Sequence, residues 1–135
     1  MKSKMGVLAA VVTLAALLPA VQAFAGDTWV CSISEAVAVD EDGTIGPPDT
    51  GGLVAPTFLR VDADKKLVTL LAPEERRGQV TKIDTAHQGE RVWVFSGVEN
   101  QRAWSLVIAD SGQMTLSVTT DGAVWSVFGN ALPED

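Results

Sequence analysis

From residue 80 to residue 129 the chain repeats one pattern, a run of about five to seven residues rich in Val, Trp, Phe, Leu and Thr followed by a short polar break. Five such runs, 80–84, 91–96, 103–109, 114–120 and 123–129, begin at intervals of roughly ten residues, the spacing of an all-β meander. Three more precede them, at 28–39, 58–61 and 67–71, the first expected to bend or break near Glu35. No stretch after residue 26 carries apolar residues at helical spacing. The expected fold is therefore all-β, a small antiparallel up-and-down β-barrel of about eight strands, with a two-sheet β-sandwich as the alternative. The barrel is preferred because the connections read as short hairpins and closure removes exposed strand edges.

The breaks support hairpins. Asp62-Ala63-Asp64-Lys65, Asp110-Ser111-Gly112 and Asp121-Gly122 each stand between two strand-like runs, and Asp-Gly is the pair that primed two-residue turns favour through positive φ. Alternation then predicts the inward faces. Met114, Leu116 and Val118 alternate with Thr115, Ser117 and Thr119, and Trp104, Leu106 and Ile108 alternate with Ala103, Ser105 and Val107. The runs at 91–96 and 123–128 are apolar on both faces, Val92 and Val94 opposing Trp93 and Phe95, so one face there is expected to meet a loop, a ligand or a partner.

Two segments fall outside the strand pattern. Pro73-Glu74-Glu75-Arg76-Arg77-Gly78 places acids before bases and glycine at the end, the order a helix dipole favours, and predicts about one helical turn near 73–77. The stretch 40–56 holds four glycines and three prolines and is expected to be a long loop.

Residues 1–25 read as a secretory signal peptide: Lys2 and Lys4, an apolar run to Leu18, Pro19, and Ala23-Phe24-Ala25 as a cleavage pattern. The competing reading is an uncleaved anchor of about 20 residues. Cys31 lies too far inside to serve as a lipid attachment point. Cleavage leaves one domain, residues 26–135, and the expected location is periplasmic or secreted, with no stable membrane insertion afterwards. The full chain carries a formal charge of −7, and loss of the two leader lysines makes the remainder more acidic. Such a surface repels phosphates, which excludes nucleic acid as the expected partner. Cys31 is the single cysteine, so no internal disulfide forms, and it is expected as a buried thiol beside Trp29 and Ile33.

No phosphate loop, Cys-x-x-Cys, His-Glu-x-x-His or Gly-x-Ser-x-Gly occurs, and the expectation is no cofactor, no metal and no assigned catalytic residue. His87, the single histidine, sits in a polar segment expected to be an exposed connection between strands. Asp40-Glu41-Asp42-Gly43 lacks the further ligands of a calcium loop and reads as a solvated acidic turn. The tryptophans are the most suggestive residues: Trp29, Trp93, Trp104 and Trp125 all fall in strands, and small barrels hold compact ligands at their mouths. Trp93, Trp104 and Trp125, with Arg91 and Arg102 at strand ends, form the candidate ligand-binding set. The expected function is non-enzymatic binding of a small, partly apolar ligand or an envelope protein. An envelope hydrolase using loop carboxylates and His87, or a structural assembly protein, are the alternatives, and the oligomeric state is left open.

Overall fold

A computed structural model describes residues 27–48 and 57–134. The expected signal peptide and part of the long loop, residues 49–56, lie outside the described residues. Ten strands follow in order: β1 (Thr28–Asp40), β2 (Ile45–Gly46), β3 (Phe58–Asp62), β4 (Leu67–Ala72), β5 (Val80–Lys82), β6 (Thr85–Gln88), β7 (Val92–Glu99), β8 (Arg102–Ala109), β9 (Gln113–Thr119) and β10 (Ala123–Pro133). The expected helical turn is a 3₁₀ turn over Glu74–Arg76. Among the described residues no helix is long and apolar enough to cross a membrane.

All pairings are antiparallel, and the order across the sheet is β5-β4-β3-β1-β10-β9-β8-β7-β6, with β2 attached to β1. The first and last long strands pair from Trp29 with Pro133 to Asp40 with Ala123, so β1 and β10 join the two halves of the sheet. The sheet curls until its edges meet, because β5 and β6 are separated only by Ile83 and Asp84. The extended stretch 80–88 thus runs along β4 and then along β7. At the crossing, the Ile83 amide donates to the Lys66 carbonyl (3.0 Å) and the Asp84 amide to the Ser96 carbonyl (2.9 Å). The Val98 amide donates to Asp84 Oδ2 (3.0 Å) and Thr81 Oγ1 to Glu99 Oε2 (3.2 Å). The sheet is thus a curled half-barrel whose two edge strands, β5 and β6, are consecutive parts of one extended run and are tied across the seam by these separate bonds.

Three local features differ from the sequence-based expectation. Thr85–Gln88, expected as a connection, is strand β6: its ladder to β7 supplies the backbone bonds that its polar side chains do not signal, and His87 is exposed opposite Val94. Within the expected loop, Ile45–Gly46 adds a short strand to Ala38 and Val39 through a turn at Gly43, whose φ is +87°. Asp121–Gly122 does form a hairpin, yet neither residue has positive φ. Thr120 holds that turn, its Oγ1 accepting from the Gly122 amide (3.3 Å) and donating to the Ala123 carbonyl (3.1 Å). Positive φ at both central residues occurs instead at Asn100 (50°) and Gln101 (62°), between β7 and β8, as primed hairpins require. The bend expected near Glu35 is present as a register shift between Ile33 and Glu35.

The core fills one half of the barrel. Trp93 and Phe95, two apart on β7, point inward together and stack with rings 5.5 Å apart and 2° from parallel, while Trp29 of β1 meets both edge-on. Val61, Ile83, Ile108, Met114 and Ala131 pack in the same cluster.

Cys31 belongs to this half, is fully buried and unbonded, and burial pushes its thiol from the ordinary 9.0 up to about 12. Below pH 9.0 the thiol is neutral in both the folded and unfolded chain, so its share of stability is intact. Between pH 9.0 and about 12 only the unfolded chain releases the proton, and stability falls with rising pH by up to an amount on the order of 4 kcal/mol. Urea melts of the native protein and of Cys31→Ala across this window are expected to show a steeper alkaline loss in the native protein. Equal slopes would contradict the burial of the thiol.

Candidate functional site

The other half of the barrel is not filled. One row of paired residues crosses it, Gly97 on β7, Trp104 on β8, Val118 on β9, Trp125 on β10 and Ala38 on β1. The two tryptophans are separated by Val118 and flanked by the smallest side chains in the row, so each has room to lie along the wall. The Trp104 indole covers Gly97 so closely that a Cβ there would stand 2.9 Å from the ring. Glycine inside a strand marks such an approach.

Beneath this row lies a cavity of about 290 Å³, lined on its apolar side by Leu59, Val68, Leu70, Leu106, Leu116 and Val118 with both tryptophans. Its polar lining comes from Arg76, Gln79, Thr81, Glu99, Asn100 and Arg102. These residues arrive from the 3₁₀ turn, the link from it into β5, β5 itself, and the primed hairpin joining β7 to β8. A second, more polar depression of about 610 Å³ lies between the β1–β2 hairpin and the β9–β10 turn and shares Asn100, Arg102 and Trp125 with the first.

The charges around the cavity are unevenly committed. Arg102 lies over Trp125 with its guanidinium carbon 5.1 Å from the ring centroid and makes no ion pair among the described residues. Its ladder partner is Glu99, but that carboxylate accepts from Thr81 Oγ1 across the seam. Arg76 donates to Gln79 Oε1 through Nη2 (3.1 Å) and Nε (3.3 Å). By contrast, Arg60 pairs with Glu134 (2.9 Å), Arg77 with Glu74 (3.4 Å) and Arg91 with Asp110 (3.1 Å). The bidentate contact with Arg60 holds the Glu134 carboxyl below its usual range.

Of the five residues expected to bind a ligand, the structure brings Trp104, Trp125 and Arg102 to this cavity. Trp93 lies in the packed aromatic cluster, and Arg91 sits beside Asp110 where β7 begins and β8 ends; neither lines the cavity. Gln79, Thr81, Glu99, Asn100 and Arg76 also line the cavity and stood outside the expected ligand-binding set. The polar pair Asn100-Gln101 between two strand runs was the available signal for the hairpin at the mouth. His87 lines neither depression. At the acidic run, hydrogen bonding from the Thr44 side chain and then from its amide, which donates to Asp42 Oδ1 (2.9 Å), lowers the Asp42 carboxyl's pKa. Among the described residues no group of three or more His, Cys, Asp or Glu is placed to hold a metal.

Comparison with protein-family models, with curated proteins and with solved structures gives no match.

Proposed function

We propose that this chain is an exported, non-enzymatic binding protein whose barrel end takes up a small, partly apolar ligand. The observation that supports this reading is the asymmetry of the interior, one half packed with aromatic and aliphatic side chains and the other left as a cavity of about 290 Å³ with apolar walls and a polar mouth. Ligand sites commonly combine these features, apolar walls with a few polar groups that fix orientation. The cavity is roughly twice the size of one of about 150 Å³ that takes benzene, which suits a ligand of about a dozen heavy atoms. The signal-like residues 1–25 support export.

Titration of the purified protein with 1-octanol, followed by calorimetry and by the emission of Trp104 and Trp125, tests the reading. Eight carbons gain at most about 6 kcal/mol on leaving water, so the expected Kd is no tighter than tens of micromolar. Val118→Phe places a ring between the two tryptophans and is expected to weaken binding by about tenfold. Absence of heat and of any emission change with 1-octanol, cyclohexanol and octanoate alike would reject the proposal.

A further inference from the structure

We infer that the end cavity selects small monocarboxylates with an apolar tail, the carboxylate being held by Arg102 at the mouth. This rests on the proposed binding function and adds the chemistry of the head group. The described protein is acidic, so a general attraction for anions is absent, and any preference for them must come from the mouth itself.

The mouth supplies that preference through how its charges are used. Arg102 is the arginine that lies over an aromatic face without a carboxylate partner among the described residues. The guanidinium lies over the Trp125 ring, 5.1 Å from its centroid, and no carboxylate among the described residues takes up its N–H groups, which leaves them to a bidentate carboxylate. Glu99, the one carboxylate lining the cavity, accepts from Thr81 Oγ1, and Asp40 and Asp121 line only the adjoining depression, so Arg102 stands in the cavity lining with no carboxylate bonded to it among the described residues. Deeper in, the walls are aliphatic and indole surface, with no charged group to receive a head group there. A tail directed inward and a carboxylate left at the mouth satisfies both regions.

Calorimetry with octanoate, 1-octanol and octylammonium, which share one tail, reads the head group alone. Octanoate is expected to bind roughly tenfold or more tighter than 1-octanol, and octylammonium more weakly than either. Arg102→Met is expected to bring the octanoate-to-octanol affinity ratio to within about twofold of unity, and Arg102→Lys to leave a reduced preference. Arg77→Met, which removes the same charge from a residue outside the cavity, is expected to keep the ratio. Glu99→Gln is expected to raise it. Equal binding of octanoate and octanol, tightest binding of octylammonium, or a ratio unchanged in Arg102→Met would overturn the inference while leaving the cavity as a ligand site. If none of the three binds, the binding function itself fails and this inference with it.

Discussion

Alanine at Gly129 is expected to destabilise the fold by about 3 kcal/mol or more, enough to consume much of a small domain's margin. Gly129 stands on β10 opposite Ile33, where β1 shifts register, and a Cβ there would overlap the Ser32 carbonyl oxygen and come within 2.9 Å of its carbon. The atoms in the way are backbone, so no side-chain rotation relieves the clash. The two strands must separate at the ladder that joins the halves of the sheet. Gly122→Ala is the comparison: nothing lies within 4 Å of its Cβ position and its φ is not positive, so a change within about 0.5 kcal/mol is expected. Urea denaturation of both variants checks the pair. Similar, small losses would mean that β1 and β10 do not approach as described.

Phe95→Ala is expected to cost about 3 to 5 kcal/mol, the range for a large aromatic removed from a packed core. The ring is fully buried, stacks on Trp93 and is met edge-on by Trp29, so its loss takes one ring contact from each tryptophan and opens a void beside the contact they make with each other. For a domain of this size the melting temperature should fall by roughly 10 to 30 °C. Phe128, whose side chain faces outward and remains 45% exposed, provides the contrast: Phe128→Ala is expected to cost under about 1 kcal/mol. A thermal melt in which the two variants fall equally would invert the assignment of faces on β7 and β10.

Those faces were legible in the sequence. The alternation of Met114, Leu116 and Val118 and of Trp104, Leu106 and Ile108 places all six toward the interior, because side chains in a strand change sides at every residue. The bend near Glu35 and the turn near 73–77 were legible for similarly local reasons. Strand β6 was not, since Thr85-Ala86-His87-Gln88 has no alternation and is extended only because β7 offers it a ladder. The seam at Ile83 and Asp84 was hidden for the same reason: a change of partner within one extended run leaves no mark on residue type.

The candidate site was half legible. Trp93 and Trp104 look alike in sequence, each near the start of a strand with an arginine two residues before, Arg91 and Arg102. Consecutive antiparallel strands begin at opposite ends of a barrel, so β7 carries Trp93 to the end where Trp29 also starts, and β8 and β10 carry Trp104 and Trp125 to the other. Residue type nominated the set, and strand direction divided it.

By itself, the sequence determined that this chain makes short antiparallel strands and which side chains each turns inward, because both follow from a period of two and from turn residues a few positions apart. Only the tertiary structure decided which end of the barrel is solid and which is hollow. That outcome depends on register between strands distant in the chain: Trp29, Trp93 and Phe95 converge and fill their space, whereas Trp104 and Trp125 are kept apart by Val118 and leave theirs empty.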